Sequence, residues 1–392
     1  MIAVLGADSP IGLTVIRELG ERGLSVLAQG KTGHALGRYS RHVKHFLATS
    51  APIAAWLPQL VAEHGVTAVL AYSEHHLLQL AALKDDLGAC PVLAPDADKL
   101  ALVLDKQQTF DAAARVGISV PASWSPSLGE DFAARAAALA YPVAIKWPDP
   151  NGVVAALAAQ GIDLEKVEYA KSAAELLAIL ARYDKVGLWP LVQTWCPGQG
   201  LGQMLHMHAG RATLRFQHRR LREWPPSGGV SSFCESVPLD RHAAQMALSE
   251  ALLREIGWQG PAMVEYRHDP ATGTYWLMEI NGRFWGSIPL AYHAGAHFAW
   301  ETYRCRMLGE RDVTAPRLKS RRARYVIPDS KHIVAILRDS SLPLGRRLRA
   351  AVAFVTDFAD PRVRYYVWSW RDPKPFFGDM MGIVRRALRR GS

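Results

Sequence analysis

Two carboxylates and an amide stand where a short hairpin would bring them together. Residues 261–268 form an apolar run containing Val264, Glu265 and Tyr266. A second run, 274–280, leads into MEINGRFWGS at 278–287, with Glu279, Asn281 and Arg283. Between the runs, HDPATG carries Asp-Pro and then Gly, the punctuation of a hairpin loop. Side chains alternate faces along a strand. Val264 and Tyr266 therefore share one face, and Trp276, Met278 and Ile280 form the matching core side. Glu265, Glu279 and Asn281 fall on the other face. A hairpin symmetric about Thr272 sets Glu265 opposite Glu279, with Cβ atoms roughly 5 Å apart. Carboxylates at that spacing repel unless a cation lies between them. A hard divalent ion with oxygen ligands meets the need, Mg²⁺ first and Mn²⁺ second, with phosphate oxygens completing its shell. Arg283 follows in the turn, placed to touch the same anions. A solvated surface hairpin is the competing reading. It leaves Glu-x-Asn-x-Arg, with Phe284 and Trp285 directly behind, without a reason.

The other basic cluster is HRRLREWPPSGG, 218–229. In a strand, Arg220 and Arg222 point one way and Arg219 the other. Arginines followed by a Gly-Gly turn suit capture of a carboxylate and of the acyl phosphate made from it. The alternative is a charged strand edge that blocks aggregation. Lys106 in LDKQQTF and Lys146 in VAIKWP are each weak signals alone, since a helix-start lysine is commonly just solvated. His206 and His208 share a strand face but lack a third ligand at zinc spacing, which favours packing.

Taken together, these residues resemble the ATP-grasp superfamily, and within it the carbamoyl-phosphate synthase branch and a subgroup of bacterial carboxylate–amine ligases. The resemblance covers about residues 100–310 well and 1–95 loosely. It implies metal ligation by Glu265, Glu279 and Asn281, and phosphate contacts by Arg283, Lys106 and Lys146. It also implies an adenine-binding hinge in LVQTWCPGQG, 191–200, after Gln193: backbone groups of Thr194 and Cys196 pair with the base, and Trp195 packs nearby. Arg220 and Arg222 join Arg283 as candidates for the chemistry. The implied reaction uses ATP and Mg²⁺ to turn a small carboxylate, such as an amino acid, into an acyl phosphate. An amine then attacks to give an amide. Two departures stand out. Gly200 occupies the place where the family often has a ribose-binding acid. The loop after Lys146, usually glycine-rich, has only Gly152 and Gly161.

The elements that must position these groups follow. Residues 1–95 alternate short apolar strands (2–5, 25–28, 68–71, 91–93) with helical patterns (10–22, 53–64, 74–87), which is βαβ order and a parallel sheet. GADSPIG at 6–12 is a tight strand-to-helix turn but not G-x-G-x-x-G. Gln29, Gly30 and Lys31 stand where a dinucleotide fold wants an acid. A nicotinamide-dependent oxidoreductase is therefore the weaker enzyme reading. Residues 96–310 combine helices with antiparallel strands. The expected architecture is α+β with an α/β N-terminal domain: a Rossmann-like domain (1–95), a two-lobed ATP-grasp domain (96–310) and a basic C-terminal extension (311–392).

Composition bounds the rest. A chain of 392 residues, 49% hydrophobic, has material for two or three packed cores. Four scattered cysteines argue against a disulfide framework and fit a reducing cytoplasm. The start reads as strand and helix rather than a signal peptide. The formal charge of +10 is uneven: residues 311–392 hold 19 Lys+Arg against 7 Asp, a net of +12, leaving −2 for the rest. The body is thus no nucleic-acid surface. The expected partners are small-molecule substrates and a second copy of the chain. For the tail, docking on the body is the first expectation and peripheral contact with a membrane the second.

Overall fold

The computed structural model describes residues 1–390 apart from 149, 166, 227 and 311–315. The chain divides into two compact units. One comprises Met1–Leu104, Gly200–Glu265 and Ile280–Ser392; the other comprises Asp105–Gln199 and Tyr266–Glu279. These units cut across the three segments expected from sequence. The ATP-grasp segment contributes to both, and the tail belongs with the N-terminal domain; residues 311–315, where the tail was expected to begin, lie outside the described residues.

The first unit opens with β1 (Ile2–Leu5), α1 (Pro10–Gly20), β2 (Val26–Gly30), β3 (Val43–Ala48), α2 (Leu57–His64), β4 (Ala68–Ala71), α3 (Glu74–Ala82) and α4 (Ala97–Leu104). The four strands form a parallel sheet of order β3-β2-β1-β4, as the βαβ pattern requires. Two expectations change. Residues 91–93 make only an isolated bridge, Val92 to Val69. The edge strand β3 was unmarked in the sequence, because Lys44 and His45 dilute its apolar alternation. Ser9 caps α1 through the Ile11 amide, with Pro10 at the first helical position.

The second unit holds α5 (Lys106–Arg115), β5 (Ser123–Trp124), α6 (Phe132–Ala137), β6 (Val143–Lys146), α7 (Pro150–Ala159), β7 (Glu168–Ala170), α8 (Ala173–Ala181) and β8 (Leu191–Thr194). Its antiparallel sheet has the order β5-β8-β6-β7. Trp124, Val143, Ile145, Leu176, Leu180 and Val192 make its core.

The chain continues with β9 (Gln199–His208), β10 (Arg211–Trp224), β11 (Val230–Ser236), α9 (Ala243–Ile256), β12 (Gly260–Asp269), β13 (Thr274–Asn281), α10 (Ile288–Ala294) and α11 (Phe298–Met307). The tail adds β14 (Arg322–Arg324), α12 (Val326–Arg338), α13 (Leu344–Thr356), β15 (Val363–Tyr365) and α14 (Lys374–Arg390). A seven-stranded sheet runs β13-β12-β9-β10-β11-β14-β15. The tail therefore docks, the first of the two expectations for it. β14 extends the sheet beside β11, and Tyr366 is buried, stacked on Tyr325 with ring centroids 5.5 Å apart. Arg17 of α1 and Asp372, both 2% exposed, pair at 3.0 Å, while Arg17 also donates to the Val367 carbonyl. One core joins β1, β2, α1, α10 and α11 with Tyr366 and Val367. Among the described residues, no helix is long and apolar enough to cross a membrane.

Candidate functional site

In the second unit, Asp105 caps α5 by accepting from the Gln107 and Gln108 amides at 2.9 and 3.1 Å. The Gln108 side-chain amide, donating at 2.9 Å, holds the Asp105 pKa below the ordinary carboxylate value, and the backbone bonds add to it. Lys106 is thereby fixed at the first helical position. Lys146 ends β6, where alternation buries Val143 and Ile145 and leaves Ala144 and Lys146 on the half-buried face. The Lys146 charge acts on the Cys196 thiol, although burial dominates there and pushes that thiol up to about 11.

The segment expected to be the hinge runs from β8 past Gly198. The Gln193 side chain is buried and donates to Ser123 Oγ at 2.9 Å; its Oε1 has no hydrogen-bond partner among the described residues. The amides of Thr194 and Trp195 are already engaged, donating to the carbonyls of Ala122 (2.9 Å) and Pro142 (3.3 Å). What Thr194 can offer a base is its carbonyl. Trp195 is 41% exposed, so it does not fill the core. Gly198 has φ +99° and lies so close to the His268 carbonyl that a Cβ would collide with it. The segment after Lys146, read as a loop, is instead the helix α7 from Pro150 onward; Asp149 lies outside the described residues. Its alanine-rich sequence favours helix, and Leu157 packs with Trp147 and Tyr183.

The hairpin strands run as expected, with the turn closed by the Gly273 amide on the Asp269 carbonyl at 2.8 Å. Val264 and Tyr266 are fully buried; Glu265, Glu279 and Asn281 are half-buried. One expectation is corrected: Leu277, with Ile280, is buried in β13, whereas Trp276 and Met278 are only partly so. Leu277 also donates its amide to the Ser119 carbonyl, which pairs the outer edge of β13 at that point. After Asn281, Gly282 lies flat against Trp258, where a Cβ would sit 2.5 Å from the indole. Phe284 and Trp285 then enter the core.

In the first unit the arginines separate. β10 and β11 pair Arg219 with Glu235 and Arg220 with Cys234. The register then slips, leaving Leu221 as an extra residue before Arg222 meets Phe233. Such a bulge re-aims the following side chain. The expected grouping of Arg220 with Arg222 is therefore wrong: Arg222 joins the Arg219 side. It forks onto Asp329 at 2.7 and 3.0 Å and reaches Asp357 at 2.8 Å. Arg322 links Asp357 (3.9 Å) to Glu235 (3.0 Å), which also holds Arg219. The bonds that fill the Arg222 fork tie the tail to the sheet.

Arg220 faces differently. It meets Glu265 at 2.5 Å and Glu223 at 3.6 Å, and donates to the Gly229 carbonyl at 3.2 Å. Glu223 was not singled out from sequence; the bulge brings it beside Arg220, and an acid inside a basic run was the available clue. Gly200 belongs to this arrangement, since a Cβ there would sit 2.9 Å from Arg220 Cδ. An acid at 200 would displace the arginine. Arg283 pairs with Glu74 in the first turn of α3 at 2.9 Å, a residue no local pattern marked. At the N-terminal turn, Gln29 takes the amides of Gly6 and Ala7, and the Tyr72 ring fills the space a Gly6 Cβ would need. Those amides are not presented to a phosphate, contrary to a dinucleotide site.

No protein-family model and no curated protein matches the chain. Solved structures do. The biotin carboxylase domain of Hydrogenobacter thermophilus 2-oxoglutarate carboxylase, solved with MgADP, ADP and bicarbonate, is 16% identical with a TM-score of 0.62; the match covers 81% of this chain and 72% of that one. L-amino acid ligase from Bacillus licheniformis is 14% identical, TM-score 0.58, over 78% and 73%. N5-carboxyaminoimidazole synthetase from Staphylococcus aureus is 13% identical, TM-score 0.64, over 86% and 84%. The chain thus has the fold these proteins share, ATP-grasp, the fold its hairpin and lysines resemble.

Proposed function

We propose that this chain is an ATP-dependent carboxylate–amine ligase. The observation that carries the reading is a hairpin whose alternate positions set three oxygen-donor side chains, Glu265, Glu279 and Asn281, in a fold shared with a protein solved holding MgADP. Two carboxylates and an amide, half-buried, suit Mg²⁺ rather than a soft metal. When bound, Mg²⁺ screens charge on the nucleotide phosphates. Lys106 and Lys146 bind those phosphates as point charges. The Thr194 carbonyl and the backbone of Cys196 hold the adenine, with Trp195 beside it. Arg283, released from Glu74, steadies the transferred phosphoryl group.

Arg220 orients the substrate acid. Its pairing with Glu265 links that task to the metal side of the reaction. The carboxylate oxygen attacks the terminal phosphorus of ATP and ADP leaves. The amine nitrogen then attacks the acyl carbon, phosphate departs and the nitrogen loses its proton. An amino acid or similar small acid is the favoured carboxylate; the likeness to L-amino acid ligase supports it. The test is product analysis with ATP, Mg²⁺ and a panel of amino acids and amines. ADP, phosphate and a mass-detected amide support the reading. AMP and pyrophosphate, or no ATP consumption with any pair, count against it.

We also infer that α13 rests on an anionic membrane surface. Leu344, Leu348, Val352, Val355 and Phe358 form one face of the helix and its C-terminal end, and each is 50% to 65% exposed. Arg349 is exposed toward the margin of that stripe and Arg346 on the side of the helix away from it, within the tail that carries a net charge of +12. An exposed apolar stripe with an arginine at its margin, on a strongly basic segment, suits the interface of an anionic bilayer. The whole protein should sediment with phosphatidylserine-containing vesicles at low salt, and the Leu348→Asp/Val352→Asp variant should not. Equal behaviour of the two proteins, or dimerisation through this face without vesicle binding, rejects the inference.

A further inference from the structure

On the first unit, three ligand-type side chains other than those of the hairpin meet inside the protein. A ring nitrogen of His206 on β9, a carboxylate oxygen of Glu301 and Sγ of Cys305 all lie within 4.8 Å of one another. Their exposures are 1%, 4% and 3%. Glu301 and Cys305 are four apart on α11, so one turn of helix sets them on the same face.

The surroundings prepare each group. His206 Nδ1 contacts Thr213 Oγ1 at 2.9 Å, and that hydroxyl donates to the His206 carbonyl at 3.3 Å. Thr213 therefore accepts from Nδ1–H. This leaves Nε2 with its lone pair, and Nε2 is buried with no hydrogen-bond partner among the described residues. A buried acceptor without a donor is uncommon and costly. Arg304 donates to Glu301 Oε2 at 2.7 Å and holds the carboxylate in place, while Oε1 faces the Cys305 thiol at 3.7 Å. Outer partners that orient each ligand are a regular feature of metal sites.

We propose that His206, Glu301 and Cys305 bind a zinc-type divalent ion. A nitrogen, an oxygen and a sulfur donor together select a borderline ion over Mg²⁺ or Ca²⁺. Binding displaces the Cys305 proton to solvent and forms the metal–sulfur bond. One carboxylate and one thiolate then neutralise the two positive charges, which a buried site favours. The ion would fasten α11 to β9, a structural role separate from nucleotide chemistry.

The test uses the full chain, stripped with a chelator and reloaded with Zn²⁺ or Co²⁺ alone. The expected result is one tightly held zinc per chain, a raised Tm, and a sulfur-to-cobalt charge-transfer band in the near ultraviolet. Cys305→Ser should remove that band. His206→Gln should weaken zinc binding by more than the roughly 10- to 100-fold that an outer partner typically contributes. Both variants should keep the wild-type far-ultraviolet dichroism. Should either misfold, the wild-type cobalt spectrum alone decides. Absence of the band in folded wild-type protein, or equal zinc retention by wild type and both variants, overturns the proposal. Neither outcome bears on ATP turnover.

Discussion

Arg220 on β10 and Glu265 on β12 meet at 2.5 Å across the intervening strand β9, with Glu223 3.6 Å from the same guanidinium. A residue proposed to grip the substrate acid thus touches a residue proposed to hold the metal. Arg220→Lys keeps the charge but loses the planar fork. A lost charge-assisted hydrogen bond is worth about 1.5–3 kcal/mol, so the KM for the acid should rise roughly tenfold or more. The KM for ATP should move far less. Steady-state kinetics with each substrate varied in turn measures the split; equal small changes in both would remove Arg220 from the substrate site.

Arg222 should behave in the opposite way. Its partners Asp329 (0% exposed) and Asp357 lie in the tail. Arg222→Ala leaves Asp329 with Arg324, which it contacts at 2.5 Å, but strips a buried carboxylate of half its cations. Breaking a buried pair costs about 3–5 kcal/mol. Urea unfolding should show most of that loss, with KM values unchanged in whatever folded protein remains. A stable variant with a raised KM for the acid would return Arg222 to the substrate site.

The difference between these two arginines marks where sequence reading stops. The hairpin, β6 with Lys146 and the helix start at Lys106 were legible because each rests on a local pattern of a few neighbouring residues. The bulge at Leu221 was not. It depends on how β10 fits β11, and a one-residue slip exchanges faces. The partners of Arg222 lie 107 and 135 residues away, beyond any local pattern. Glu74, opposite Arg283, is hidden for the same reason. The membership of the tail in the first unit came from β14 adding to the sheet at β11, and a three-residue strand such as RAR carries almost no signal of its own.

Glu279→Gln tests the metal assignment. The amide keeps the shape and removes the charge that holds a hard cation. Turnover should fall by at least about 100-fold while the thermal midpoint stays within a few degrees of wild type. Near-normal turnover under saturating Mg²⁺ would take Glu279 out of the ligand set.

Glu18 should give stability a distinctive pH dependence. Its Oε2 accepts from the Ala299 and Trp300 amides at 2.8 and 3.2 Å, yet burial pushes its pKa up to about 8 from 4.5. Between these values the folded state holds a proton that the unfolded state has released. Stability must therefore fall as pH rises from 4.5 to about 8, at up to roughly 1.4 kcal/mol per pH unit. Glu18→Gln stays neutral and still accepts both amides, so it should flatten that decline. Urea midpoints of both proteins at pH 5 and pH 8 measure the effect; identical slopes would refute it.

The central claim is that a carboxylate oxygen attacks ATP. A carboxylate substrate labelled with ¹⁸O, incubated with ATP, Mg²⁺ and the amine, tests it by mass spectrometry of the released phosphate. The acyl-phosphate route predicts one ¹⁸O atom in each phosphate formed, in step with amide. Unlabelled phosphate accompanying the amide, or label appearing in AMP, would contradict it.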